Sequence, residues 1–272
     1  MNRLVIEPSR IERQYWRDIW RYRELFLFLA WRDFLVRYKQ TVVGVAWSLI
    51  KPLLTMIVLT VVFGRFGRMP SAGVPYPLLV FCGMLPWQFF SSALSDGGSS
   101  LVNNSNLISK IYFPRLVVPA SSLITSFADF AISGAFMAIL MCWYRAVPPV
   151  QVIFLPAFIF LAWMASLGAA IWIAALMVEY RDFRAIVPFI VQFGLYISPV
   201  GFLSSIVPKE YRLLYSLNPI AGVIDGFRWC LLGGRQTIFW PGLAVSTIVA
   251  LALVITGIWY FRKTERTFAD VI

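Results

Sequence analysis

Residues 31–68 read WRDFLVRYKQTVVGVAWSLIKPLLTMIVLTVVFGRFGR, and the character of this stretch changes twice. Trp31 to Gln40 is basic and aromatic. From Thr41 to Phe63 the chain is apolar with a single lysine, and it then closes on GRFGR. At a helical rise of about 1.5 Å per residue, Thr41 to Phe63 is long enough to cross a hydrocarbon core of about 30 Å. The basic flank comes first, so the chain is expected to enter this helix from the cytoplasm. Lys51 and Pro52 interrupt the run near its start, and the apolar part beyond them, Leu53 to Phe63, is short of a full span. The stretch therefore predicts an interfacial segment turning into a first membrane helix, with Lys51 near the headgroups. Two readings of Lys51 stand side by side: an ammonium snorkelling to the interface, or a cation facing a water-filled path for an anionic substrate.

Working outward, the 272 residues are 60% hydrophobic and only 14% charged, whereas a soluble domain carries about 25% charged residues. This is the composition of an all-α polytopic membrane protein with one membrane domain over residues 1–272. The domain divides into a cytoplasmic or interfacial segment (1–40), a membrane part (41–262) and a cytoplasmic tail (263–272). The net charge of +11 sits at the ends of apolar runs, so the positive-inside rule accounts for it without nucleic acid. The chain contains no histidine, which removes imidazole acid–base chemistry, histidine metal ligands and Ser-His triads. Cys82, Cys142 and Cys230 lack metal or redox spacing and read as small hydrophobes. The N-terminal residues have neither the apolar core nor the small-residue site of a cleavable signal peptide.

Trp16, Ile19, Trp20 and Arg23 follow helical spacing and continue through Trp31, Phe34, Leu35 and Tyr38, predicting an amphipathic helix in the cytoplasmic interface. After the first span, a Gly/Pro loop leads to a second span from Tyr76 to about Ala93, with Pro86 as a kink. A polar Gly/Ser/Asn-rich stretch follows and ends in a short amphipathic turn. The third span covers Leu116 to Trp143, with Asp129 near its middle. The fourth covers Val152 to Val178, with small residues at Ala165 and Ala169 and at Ser166, Ala170 and Ala174, a spacing that lets helix backbones approach closely. EYRDFR turns the chain into a fifth span, Ala185 to Leu203, broken by Pro188 and Ser198-Pro199. Tyr211 to Gly234 is apolar but cut by Asn218-Pro219 and followed by Asp225 and Arg228. It predicts a broken hairpin that re-enters from the outer side. The sixth span is Phe239 to Phe261. With six spans and both termini cytoplasmic, sixteen of the 24 Lys and Arg fall inside and seven outside, with Lys51 in the first span.

Four segments, RYKQTVVGVAWSLIKPLL, NLISKIYFPRLVVP, EYRDF and LNPIAGVIDGFRW, occur in this order and spacing. Together they resemble the permease subunit of type-2 ABC exporters that move polysaccharides such as O-antigen, capsule and teichoic acid. The similarity runs from about residue 20 onward.

The resemblance implies a homodimer in the inner membrane, flanked by membrane lipids and docked to two copies of a separate ABC ATPase. It also implies a lipid-linked polysaccharide as cargo. ATP and Mg belong to that ATPase; this chain has no GxxxxGK[ST] loop, is not expected to be an enzyme, and is expected to hold no metal or cofactor of its own. By resemblance, the coupling helix that fits the ATPase maps to Asn103, Asn106, Leu107, Ile108, Lys110, Ile111 and Tyr112; read from the residues alone, this is an ordinary interfacial return. Glu179, Arg181 and Asp182 form a second cytoplasmic turn, which is either a contact to the N-terminal helix or ATPase, or a solvated charged turn. The path would lie between two copies, walled by spans one and five, with Lys51 beside it. On span five Phe189, Phe193, Tyr196 and Val200 share one face at helical spacing, with Gln192 one turn around. That face suits either stacking on sugar rings or packing and lipid contact. Asn218, Pro219, Asp225 and Arg228 would form the outer gate. Asp129 is either a structural hydrogen-bond partner or a substrate contact. Two alternatives remain at this level: an export permease for a drug or lipid, and a membrane enzyme acting on polyprenyl-linked sugars. The scattered carboxylates Asp96, Asp129, Glu179 and Asp182 disfavour the enzyme.

Overall fold

Apolar runs with so few charges can satisfy their backbone polar groups in lipid only as helices or closed barrels. In the computed structural model, every regular element among the described residues is helical. Those residues are 12–39, 42–233, 238–265 and 267–268. The expectations for residues 1–11, for the first span's start at 40–41, for the hairpin's end at 234 and for tail residues 266 and 269–272 lie outside them.

Helices α1 (Glu12–Arg21) and α2 (Arg23–Tyr38) meet at Tyr22. α2 turns Leu29 and Ala30 inward and leaves Leu27, Phe28 and Trp31 exposed, an outer face suited to the headgroup region. α3 (Val42–Leu59) passes through Pro52 and relaxes into a wide π turn, Thr60–Phe66. α4 (Tyr76–Ser92) leads through a second π turn, Ala93–Gly97, into α5 (Gly98–Asn103), and α6 (Ser105–Lys110) follows. The remaining elements are α7 (Val117–Trp143), α8 (Leu155–Glu179), α9 (Phe183–Ile197), the single turn α10 (Arg212–Tyr215), α11 (Ala221–Leu232) and α12 (Trp240–Thr264). Among the described residues five helical segments are long and apolar enough to cross a membrane: Leu49–Phe66, Tyr76–Asn103, Val117–Trp143, Val150–Glu179 and Trp240–Thr264. α9 is apolar but has 15 residues, which extend only about 22 Å.

The hub is α4. Every residue from Leu78 to Trp87 is buried, and the helix packs on α3, α7, α8 and α11. Most of the hydrophobic core forms around it, with Phe81, Ala165, Ile224 and Phe227 fully enclosed. A second cluster joins Leu29, Ile108, Phe113, Phe261 and Phe268, at the end of the bundle where α2, α6 and α12 meet.

Two expectations are corrected. The second span does not give way to a loop at Ala93; the helix continues to Asn103. Ser99 and Ser100 donate their hydroxyls to the carbonyls of Ser95 and Gly97 at 2.8 and 2.6 Å, so polar side chains are satisfied along the helix itself. Gly97 and Gly98 sit where a Cβ would come within 2.7 Å of Ala170 and 2.4 Å of Ile173. These glycines, with the small residues of α8, serve close helix packing rather than a turn. The fifth span differs at one of its two expected breaks: Pro188 lies inside α9 without ending it, whereas the expected break at Ser198-Pro199 does end the helix, at Ile197, where Ser198 is extended before the proline. Val200 is consequently buried and does not share the face of Phe189, Phe193 and Tyr196.

Candidate functional site

The polar side chains that α2, α3, α4, α7 and α9 carry inward surround a cavity of about 730 Å³. Lys51 and Thr55 of α3, Gln88 and Ser92 of α4, and Gln192 of α9 line it, with Trp87, Phe89 and Phe130 as its aromatic wall. Of the expected path residues, Lys51 and Gln192 therefore reach one cavity. Phe189, Phe193 and Tyr196 are not among the residues lining it: they are exposed, with the two phenyl rings 4.2 Å apart. The pairing of hydroxyls and carboxamides with aromatic rings gives this space the chemistry to contact hydroxyl-rich rings. Lys51 adds a positive charge.

At one end of the cavity lies an ionic cluster that sequence reasoning missed. Arg37 of α2 bridges Asp96 and Asp129, each at 2.9 Å, so one guanidinium ties α2 to both the α4–α5 helix and α7. Tyr38 donates its hydroxyl to Asp129. Burial works against the charge of Arg37, but the two carboxylates outweigh it and hold the group above its ordinary pKa. Nearby, Arg32 donates to Asp33 and to Asn104, each at 2.7 Å, fastening α2 to the junction before α6. Asp129, left between two readings by the sequence, has structural partners and also faces the cavity. The charges of Arg32 and Arg37 on one helix were the available signal, but their partners Asn104, Asp96 and Asp129 lie 59 to 92 residues away.

The segment expected to couple is split by its own helix. Ile108 is buried in the second cluster and Leu107 packs against it, while Asn103, Asn106, Lys110, Ile111 and Tyr112 are exposed. α6 thus has an apolar anchor and a projecting edge that ends in an exposed tyrosine. Just beyond, the Arg115 amide donates to Glu265 Oε1 at 2.8 Å, and the Arg115 guanidinium donates to the Glu265 carbonyl. The chain just after α6 is therefore fastened to the end of α12. Burial pushes the Glu265 carboxyl above its ordinary pKa, against the opposing pull of Arg115. At the other turn, Arg181 and Asp182 are exposed, while Glu179 accepts from Tyr260 of α12, whose ring stacks on Trp172.

The expected gate residues are tied inward. Asn218 donates to Ser198 Oγ at 2.9 Å and accepts from the Ile220 amide, which holds the Asn218-Pro219 turn in place. Asp225 accepts from Ser204 at 2.8 Å. Arg228 is completely buried and donates to the carbonyls of Leu79, Val200 and Phe202. It pins the turn after α9 to the hub helix. Space for its head exists because position 83 is glycine; a Cβ there would lie 2.8 Å from Nη2.

Comparison with known proteins adds a family-level finding. A family model described as ABC-2 type transporter matches residues 24–232. The chain is 28% identical over 260 residues to an O-antigen export system permease protein RfbA of Myxococcus xanthus, covering 94% of this chain and 98% of that protein. It is 25% identical to an RfbA of Klebsiella pneumoniae, covering 92% and 95%. To the polysialic acid transport protein KpsM of Escherichia coli it is 21% identical, covering 88% and 92%.

Proposed function

The chain belongs to the ABC-2 type transporter family, and from this premise we propose that it is the transmembrane subunit of an ATP-driven exporter of a lipid-linked polysaccharide. The observation that carries this reading is the near end-to-end similarity to permeases named for O-antigen export. The protein spans the membrane several times, and its place is the inner membrane. Six crossings with both termini cytoplasmic fit the distribution of Lys and Arg; α9 with the irregular turn after it supplies the fifth, and α10–α11 form the re-entrant outer hairpin. Two copies form the conduit. Each docks one separate ATPase subunit, which binds ATP and Mg.

In this reading, ATP-driven closure of the ATPase pair pushes on the projecting edge of α6, with Lys110 and Tyr112 as contacts. The Arg32–Asn104 and Arg37–Asp96 links carry the displacement to α2, and Arg37–Asp129 carries it to α7. Lys51 and Gln192 then see a cavity whose walls shift. A ligand or nucleotide can drive such a change only through contacts that differ between the two states, and in this reading these links are the contacts that change.

The test is co-purification of an ATPase with the tagged chain in mild detergent, repeated with Lys110→Glu and Tyr112→Glu together. Capture by the native chain and loss in the double variant is the expected result. Failure to recover any ATPase under several mild conditions would overturn the assignment.

A further inference from the structure

A second, smaller cavity of about 230 Å³ lies behind the outer hairpin, enclosed by Ala72, the turn Leu203–Ser205, α10, α11 and the start of α12. It falls below the roughly 300–1,000 Å³ of sites for drug-sized ligands. Its space equals that of roughly eight waters at about 30 Å³ each, which suits a single ring rather than an oligomer.

The wall chemistry narrows the occupant. Asp225 is partly buried and accepts from Ser204 through Oδ1; among the described residues no hydrogen bond reaches Oδ2, which is left to accept hydroxyl donors. Arg212 commits Nε and Nη2 to the carbonyls of Val207 and Ser205, at 2.9 and 2.8 Å, and Nη1 takes no protein acceptor among the described residues. Phe239 and Leu243 supply the apolar side. The lining carries one carboxylate, Asp225, and one guanidinium, Arg212, and Asp225 also faces the buried Arg228. Among the described residues no group of three or more metal-ligating side chains occurs, and Asp225 is the one carboxylate in the lining. A neutral polyhydroxyl ring satisfies every feature: adjacent hydroxyls donate to Asp225, another accepts from Arg212, and the C–H face lies on Phe239.

We propose that this cavity is a monosaccharide-sized binding site that holds one neutral sugar residue of the emerging polysaccharide against the outer hairpin. The assignment rests on the exporter reading above for the source of the sugar and for the outer location. Asp225 and Arg228 share α11, and Arg228 fixes the turn that follows α9. A bound ring therefore braces the hairpin at the point where it is tied to the hub helix, and each passing residue is gripped and released beside the gate.

The test uses the full chain in lipid nanodiscs, because alkyl-glycoside detergents would compete. The probes are the methyl glycosides of glucose, galactose, mannose, rhamnose and N-acetylglucosamine, followed by saturation-transfer NMR. At least one glycoside is expected to bind saturably. Asp225→Asn and Ser205→Phe are each expected to weaken that binding at least tenfold, and Ile248→Ala, on the exposed face of α12, to leave it unchanged. Ser205 is exposed at the rim and only its backbone carbonyl is used by Arg212, so Ser205→Phe blocks the mouth with the fold retained. Absence of saturable binding by every probe overturns the proposal, as does binding that survives Ser205→Phe. Surface polysaccharide is measured in parallel in cells deleted for the chain. Normal display there sinks the exporter reading and this assignment with it; lost display without glycoside binding sinks the pocket alone.

Discussion

Replacing Arg37 by Gln removes the one cation between Asp96 and Asp129 and leaves two carboxylates facing each other beside the cavity. The side chains of Arg37, Asp96 and Asp129 are 35, 39 and 23% exposed. This places the cluster between two regimes. Breaking a fully buried pair costs about 3–5 kcal/mol, and an exposed pair is worth about 0–1 kcal/mol. The expected loss is about 2 kcal/mol, discounted for solvent screening. For a chain of this size, about 2–4 °C is lost per kcal/mol, so Tm falls by about 4–8 °C. Asp129→Asn relieves the repulsion and keeps an oxygen to accept from Tyr38, so in the Arg37→Gln background it costs less than it does alone. The expected coupling energy is about 1 kcal/mol. The assay is thermal unfolding of the four proteins of the cycle in nanodiscs. A Tm for Arg37→Gln equal to that of the parent, or strict additivity in the double variant, would refute the idea that this cluster holds α2 to the bundle.

Three further outcomes follow from the geometry. Gly83→Ala places a Cβ 2.8 Å from the buried Arg228 head and 3.2 Å from the Val200 carbonyl; it should cost about 1–3 kcal/mol, read as a lower Tm, and unchanged stability would show that the guanidinium has room to move. Gly168→Ala sets a Cβ 2.6 Å from the Val254 amide nitrogen, which is backbone and cannot swing aside. α8 and α12 must separate, and inter-helix cysteine crosslinking between them should slow. Glu265 has a folded pKa raised by burial, so the folded chain holds this proton more tightly than the unfolded one. That contribution is fully present below the ordinary carboxylate pKa and is lost as pH rises through the raised folded value. Glu265→Gln, which still accepts from the Arg115 amide, should flatten the fall of Tm across that window, and parallel profiles would remove Glu265 as the cause.

The path residues illustrate how far local pattern reaches. Lys51 stands out as the one lysine of an apolar run and Gln192 as the polar residue one turn around from the aromatic face of span five, and both line the larger cavity. Val200 was grouped with Phe189, Phe193 and Tyr196 by assuming that the helix continued. The helix ends at Ile197, so the period used to align that face no longer applies. The second span was cut short at Ala93 for the opposite reason. Gly and Ser punctuate soluble chains, yet here they line a tight helix crossing.

From the sequence alone come the helical membrane class, the locations of the apolar runs, the orientation bias of the charges, the missing nucleotide loop, and the resemblance by which the family can be recognised. All of these depend on composition or on order along the chain. Which helix is central was decided only by tertiary packing: α4 is buried at every residue from Leu78 to Trp87, while the first span is largely exposed. Tertiary structure also converted Arg37 from a basic flank into a bridge between two distant carboxylates, and Arg228 from an outer-gate candidate into a fully buried tie. Partners separated by 59, 92 and 149 residues leave no periodic trace in sequence. A charge's role depends on what folding brings within hydrogen-bond distance of it, and that distance is set by helix packing.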